Sequence, residues 1–283
     1  MTSAALLLVF GAALLHAGWN ALAKRGKDPI AFLWCIGALG VVLYTPAAVA
    51  TLLRHPLTAA GLPFVVGTVV LHALYFFTLG RAYRVGDLSV VYPVARGLGV
   101  ALVPMFALLL FEERLSPLGT LGVALVVAGI FALHWRPGAW RTALAEPGTR
   151  WALATGTLIA GYSLLDRAGV ALVHPVTYIW LMEVGAGMLL TPVVLARPGS
   201  LAREWRQNRS AILLGALMSP TGYLLVLFAF QLSKTAYVVA AREMSIVLST
   251  LIGSLWLGEG GAGRRLGGAA VILAGVACVA LAR

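Results

Sequence analysis

Long apolar stretches, separated by short polar connections, run along nearly the whole chain of 283 residues. A transmembrane helix needs about 20 mostly apolar residues to cross a hydrocarbon core of about 30 Å. By that length the sequence contains ten candidate helices. They span residues 3–23, 30–53, 63–83, 88–111, 117–135, 151–168, 176–196, 210–230, 236–257 and 265–282. The pattern predicts an all-α membrane protein.

The two halves of the sequence repeat each other. The longest connection falls halfway along the chain, and a shift of 146 residues places Trp34 on Trp180, Arg96 on Arg242 and Glu113 on Glu259. Matches between apolar residues arise easily by chance, whereas matched charges in one register do not. We therefore predict a first five-helix repeat over 1–137, an inter-repeat loop over 138–150 and a second five-helix repeat over 151–283.

The basic residues alternate between the loops of the two repeats. The first loop carries Lys24, Arg25 and Lys27, whereas its equivalent in the second repeat carries only Arg167. Since basic residues collect on the cytoplasmic side of a membrane, equivalent loops are expected on opposite sides. This indicates inverted repeats around a central cavity, which is the usual plan of secondary transporters. The same rule places the loops after odd-numbered helices in the cytoplasm.

The composition excludes a soluble protein and explains the charge. Hydrophobic residues make up 60% of the chain, charged residues 11%, and the mean hydropathy is +0.93, whereas soluble proteins carry about 25% charged residues. The net charge of +11 follows from basic loops beside membrane helices. No basic face is interleaved with aromatic residues, so nucleic acid is not an expected partner.

Four motifs together resemble one family. They are GDLSVVYPVARG (86–97), FEERLSPLGTLGVALVVAGI (111–130), AYVVAAREMSIVLSTLIGSLWLGE (236–259) and RLGGAAVILAGV (265–276). This arrangement resembles the EamA-type transporters of the drug/metabolite transporter superfamily. LLHAGWNALAKR (14–25) is similar to a subgroup labelled phosphonate-associated, and residues 260–263 depart from the family pattern. The resemblance implies a multi-pass protein of a bacterial-type inner membrane that carries a small polar or amphiphilic metabolite by alternating access. An anionic or zwitterionic metabolite is favoured by two arginines, which are considered next.

Two arginines lie deep inside predicted spans. At 1.5 Å per residue, Arg96 lies about 12 Å and Arg242 about 9 Å from the nearest helix start, and each costs about 2.5–3.5 kcal/mol at mid-membrane. One explanation is an internal ion pair with Glu183 or Glu243. The other is that the guanidinium groups face a wet cavity and bind an anionic group of the substrate. On the second explanation, Arg96→Ala is expected to abolish transport with folding intact.

Glu183 and Glu243 are also the candidates for a proton-coupling site, because a buried carboxylate without a partner tends to hold a proton. Pro93 removes a backbone donor three residues before Arg96 and predicts a kink there. Further substrate-binding candidates are the polar or aromatic residues expected to face the cavity. They are His16, Trp19, Asn20, His72, Tyr75, Tyr92, Tyr162 and Tyr223.

Other polar and small residues are expected to have structural roles. Asp166 lies near a helix end and is expected at the membrane interface. Gly122 and Gly129, like Gly268 and Gly275, lie seven residues apart on one helix face and predict close helix packing, within the chain or against a second copy.

Three rival functions remain beside transport. No metal-ligand spacing such as HExxH and no GxSxG elbow occurs, so the sequence gives no metal site or cofactor and does not favour an intramembrane enzyme. The buried charges lie at too few depths for a continuous channel pore. A lipid-binding or other non-transport role is the third alternative. The expected partners are a small-molecule substrate, the lipid bilayer and protons, with the chain a monomer or homodimer.

Overall fold

The computed structural model describes residues 1–23, 26–85, 88–134, 147–251 and 262–282. Every regular element in these ranges is an α-helix. We number them α1 (Ser3–Ala23), α2 (Pro29–Arg54), α3 (Leu62–Val85), α4 (Leu88–Phe111), α5 (Pro117–His134), α6 (Pro147–Gly169), α7 (Pro175–Leu195), α8 (Ser200–Leu232), α9 (Thr235–Arg242), α10 (Met244–Leu251) and α11 (Ala262–Leu281).

The observed helices follow the predicted spans, with two differences. Helix α8 starts at Ser200, ten residues before the predicted start, because a polar first segment precedes its apolar part. That segment meets the rest of the helix at Asn208, where the backbone leaves helical geometry. The ninth predicted span, 236–257, is not one helix: it is interrupted at Glu243, between α9 and α10.

Six of the helices in the described ranges are long and apolar enough to cross a membrane, and α5 and α11 contain shorter apolar segments. The outward faces carry large apolar side chains, for example Leu53 at 79% exposure and Leu109 at 74%. Apolar exposure of this extent is typical of a surface that contacts lipid. The molecule is therefore built as a multi-pass membrane protein.

Helices from the two halves pack against each other. The largest interfaces join α5 to α11, α1 to α8, α4 to α6 and α3 to α6, and α2 contacts both α7 and α8. Between α2 and α7 the contacts repeat with the 146-residue shift. The indole of Trp34 donates to Thr191 Oγ1 (3.1 Å) and Gly187 O (3.2 Å), and that of Trp180 donates to Thr45 Oγ1 (3.1 Å) and Val41 O (3.3 Å).

The paired glycines bring α5 and α11 into backbone contact within one chain. A Cβ added at Gly275 would lie 2.6 Å from Gly122 O, and one added at Gly129 would lie 2.9 Å from Gly268 O. Of the two partners left open by the sequence, the structure uses the helix of the same chain. Only glycine permits this separation, because any Cβ would collide with backbone.

Contacts between loops define two ends of the molecule. At the first, here called the Asp28 end, Arg197 pairs with Asp28 at 2.9 Å and Glu204 accepts from the backbone amides of Lys27 and Asp28. At the other, called the Glu113 end, Glu113 accepts from Thr235 N at the start of α9. Further contacts at the Glu113 end are those of Lys234 Nζ with Arg114 O, Gln231 with Val170 O, Met1 N with Ala282 O, and the stacked rings of His55 and His174.

Candidate functional site

The interruption between α9 and α10 brings both deep arginines to one carboxylate. Glu243 is fully buried and accepts two hydrogen bonds from Arg96 on α4: Nε donates to Oε2 at 3.0 Å and Nη2 to Oε1 at 2.8 Å. Such a fork is the strongest geometry for an arginine–carboxylate pair. The ion pair therefore explains how Arg96 is held at this depth.

Arg242 is held differently. It is only 2% exposed, and its Nε lies 3.9 Å from Glu243 Oε1, too far for a hydrogen bond. Both Nε and Nη2 are buried, and neither has a hydrogen-bond partner in the part of the chain that the structure describes. A buried guanidinium normally has its donors satisfied, because leaving them unpaired costs free energy. Arg242 thus has spare donors in a fork that suits a carboxylate or phosphate group.

A second buried charge lies on α6. Asp166 was expected at the membrane interface; that expectation is wrong, because its side chain is fully buried in the protein. Its carboxylate accepts from Tyr178 Oη at 2.8 Å and from Tyr223 Oη at 2.5 Å. The Nε2 atom of His72 lies 4.0 Å from Asp166 Oδ2. Asp166 lies only three residues from the end of its helix, where sequence does not reveal that α7 and α8 cover it.

Four of the predicted aromatic and histidine side chains form one cluster. The ring of His72 lies 4.3 Å from Tyr162, 5.4 Å from Tyr223 and 6.4 Å from Tyr75. Tyr162 and Tyr223 also lie near Arg242. The cluster therefore connects the Asp166 carboxylate to the unpartnered guanidinium.

The candidates on α1 lie on the arginine side of this cluster. His16 is within electrostatic range of both Arg96 and Arg242, and its Nδ1 is 2.7 Å from Ala12 O. Trp19 has a buried indole nitrogen without a hydrogen-bond partner. Asn20 is exposed and donates to His16 O. Helix α1 therefore places an imidazole beside the arginines and polar groups towards its Asp28 end.

Three further candidates from the sequence are Glu183, Tyr92 and Pro93. Glu183 does not join the arginines: its Oε2 would lie 2.9 Å from a Cβ at Gly37, in a recess lined by Gly40, Tyr44 and Pro220. The predicted contact of Tyr92 and the predicted kink at Pro93 concern side chains that lie outside the part that the structure describes. Helix α4, which contains both residues, runs as one helix from Leu88 to Phe111. The interruption lies instead in the equivalent span of the second half, between α9 and α10.

Comparisons with known proteins agree with this architecture. Residues 147–281 match the EamA-like transporter family, and residues 34–126 match the Small Multidrug Resistance protein family. A solved crystal structure with 21% sequence identity superposes with a TM-score of 0.77 and covers 99% of both chains, which shows a shared fold.

Two curated bacterial proteins match a shorter stretch. A protein of Pseudomonas aeruginosa named as a multidrug transporter is 36% identical over 63 residues, which are 22% of this chain and 57% of that protein. The uncharacterized membrane protein YvaE of Bacillus subtilis is 32% identical over 62 residues, which are 22% of this chain and 50% of that protein. The chain thus spans about half the length of the curated relatives it matches.

Proposed function

We propose that this chain, which belongs to the EamA-type members of the drug/metabolite transporter superfamily, is a secondary transporter of a small anionic or zwitterionic metabolite in a bacterial plasma membrane. Arg242 binds the anionic group of the solute. The observation that carries this proposal is the pair of buried Arg242 donors, Nε and Nη2, that have no hydrogen-bond partner among the described residues. A solute carboxylate or phosphate supplies the missing acceptors.

The other candidate residues near Arg242 have supporting roles in this proposal. Arg96 fixes Glu243 and thereby holds the end of α9 in place, so its role is to position Arg242. The rings of His72, Tyr75, Tyr162 and Tyr223 form a surface that suits the body or the ammonium group of a solute. His16, Trp19 and Asn20 line the approach from the Asp28 end.

We further propose ten membrane crossings in two inverted five-helix repeats that exchange access by rocking against each other. Two observations support this. The indole contacts of Trp34 and Trp180 repeat across the α2–α7 interface with a shift of 146 residues. The α1–α8 interface has its counterpart, under exchange of the halves, in the α6–α3 interface. Because both glycine faces are used inside one chain, the transporting unit is a monomer.

Counterflow in proteoliposomes tests the function. Vesicles containing the purified protein are loaded with one unlabelled solute and given the same labelled solute outside, for a panel of amino acids, organic acids, phosphonates and nucleotide sugars. We expect saturable counterflow for at least one anionic or zwitterionic member, lost in Arg242→Met and retained in Arg206→Gln, where the altered arginine is exposed on α8. Flux without saturation or counterflow, or counterflow unaffected by Arg242→Met, would contradict the proposal.

A further inference from the structure

Among the residues that the structure describes, the charges around Glu243 and Asp166 balance when every histidine is neutral. Arg96 and Arg242 supply two positive charges, and Glu243 and Asp166 supply two negative charges. A solute anion at Arg242 adds one negative charge to a region where uncompensated charge is strongly unfavourable. A group in this region must then gain one positive charge to restore the balance.

We propose that the His72–Asp166 pair is the proton-binding site of this protein, and that it takes up one proton when an anion binds at Arg242. This inference rests on the proposed function for its use in transport. The proton comes from water, no covalent bond to carbon changes, and a monoanion and its proton enter the site together as a neutral pair. The sequence assigned the coupling role to Glu183 or Glu243; the geometry points to His72 and Asp166 instead.

The contacts of His72 leave a place for the proton. Its Nδ1 lies 3.1 Å from both Thr68 Oγ1 and Thr68 O: the hydroxyl can donate to an unprotonated Nδ1, and the carbonyl oxygen accepts once Nδ1 carries a proton. Its Nε2 faces Asp166 Oδ2 at 4.0 Å, so each ring nitrogen has an oxygen acceptor beside it. When the imidazole carries both protons, it gains a charge-assisted hydrogen bond to Asp166 as the two side chains close to hydrogen-bond distance.

The surroundings keep the proton on this pair. The groups that face His72 are Tyr75 on its own helix, Tyr162 and Asp166 on α6, and Tyr223 on α8, and Arg242 of α9 acts on it electrostatically. Asp166 is the only carboxylate among these. Tyr178 of α7 and Tyr223 hold the carboxylate through their hydroxyl groups, so it is a fixed negative charge beside His72.

The other titratable groups are less suited. His16 lies near two arginines and has no carboxylate partner in the part of the chain that the structure describes, so a proton there adds charge to an already positive region. Glu243 holds both hydrogen bonds from Arg96. Glu183 lies in its own recess beside α2.

The effect of Arg242 on the pair can be measured without knowing the solute. The protein, with labelled histidine, is titrated in lipid nanodiscs from about pH 5 to about pH 9, a range that covers ordinary histidine protonation. The protonation of His72 is followed by NMR, and its signal is identified by its loss in His72→Gln. Arg242→Met imitates the neutralisation of Arg242 by an anion, and this variant is expected to fold because it removes two buried donors, Nε and Nη2, that no described residue accepts from.

We expect Arg242→Met to raise the pH midpoint of His72 protonation by about one unit or more, because a neighbouring positive charge is removed. Asp166→Asn is expected to lower it by more, since the attracting carboxylate, 4.0 Å from His72 Nε2, is lost. The matched control Arg206→Met, which removes an exposed arginine, leaves the midpoint unchanged. A midpoint that moves in neither test variant, or only in Asp166→Asn, would overturn the proposal. Such a result would leave anion transport at Arg242 intact, because that is tested by counterflow.

Discussion

At the scale of single residues, Glu243 is the contact that makes two buried arginines compatible with the fold. It accepts both hydrogen bonds from Arg96 and is the nearest anion to Arg242. We predict that Glu243→Gln destabilises the protein by about 3–5 kcal/mol, because it leaves two buried guanidinium groups without a counter-charge. Chemical unfolding in detergent measures this, with Glu112→Gln, an exposed glutamate, as the matched control. A loss no larger than that of the control would show that Glu243 does not hold the arginines.

His174 gives the protein a pH-dependent contact at the Glu113 end. Burial, with a smaller repulsion from His55, lowers the pKa of His174 below its ordinary value of 6.5. Its unprotonated Nδ1 accepts from Val176 N at the start of α7. Because the folded state resists protonation, the stability contributed by His174 is complete above pH 6.5 and is lost as the pH falls through the lowered pKa.

We therefore predict that His174→Asn reduces the loss of thermal stability between about pH 7 and about pH 5, a range set by the ordinary histidine pKa. Asparagine keeps a side-chain acceptor for the helix start but does not titrate there. Melting temperatures of both proteins across this range check the prediction. Identical slopes would mean that other groups govern the acid sensitivity.

The residues of the site differ in how far sequence could identify them. Arg96, Arg242 and Glu243 stand out because a charge inside an apolar span is expensive and needs a reason. Asp166 does not stand out in this way, because it lies three residues from a helix end, and carboxylates at the membrane interface occupy the same kind of position. The position where α9 ends decides whether Arg96 or Arg242 keeps donors without an acceptor. No local sequence pattern at Glu243 predicts that end.

At the scale of helices, the α5–α11 interface depends on the absence of side chains. The two backbones approach at Gly122 and Gly275 and again at Gly129 and Gly268. The seven-residue spacing of the glycines predicts a close-packed face on each helix. It does not predict which helix packs against that face. The partner follows from tertiary structure, since α5 and α11 end each half of the chain.

We predict that Gly275→Ala destabilises the protein by about 1–3 kcal/mol, because its Cβ would lie 2.6 Å from Gly122 O and the backbones must separate. Gly187→Ala is the matched control: it also lies inside a helix, but a Cβ there meets no atom within 4 Å. The control is expected to leave stability unchanged or raise it slightly. Equal melting temperatures for the two variants would contradict the interface.

At the scale of the whole molecule, the contacts between loops divide the chain into two ends. The Asp28 end gathers the arginine-rich start of α8, and the Glu113 end gathers both described termini. The alternating loop charges predict two such ends, and the 146-residue shift predicts which residues correspond, as the contacts of Trp34 and Trp180 do. Sequence did not predict how the halves pack, because that depends on side-chain volumes along several helices at once.

We predict that the two ends lie on opposite sides of the membrane, with the Asp28 end in the cytoplasm, as the basic loops require. Single cysteines at Arg206→Cys and Thr58→Cys, both at exposed positions, are introduced after Cys35 and Cys278 are changed to serine. A membrane-impermeant maleimide added to intact cells should label Thr58→Cys and spare Arg206→Cys. Labelling of both from one side would exclude this arrangement.

The proposed function depends on the two Arg242 donors, Nε and Nη2, that no described residue accepts from. The thermal stability of Arg242→Met tests their role most directly. If the charge is kept for a solute, its removal leaves the melting temperature equal or higher and eliminates the stabilisation that an anionic solute gives the wild-type protein. A variant that melts well below the wild type, or that is still stabilised by the same anion, would mean that Arg242 serves the fold and that the solute binds elsewhere.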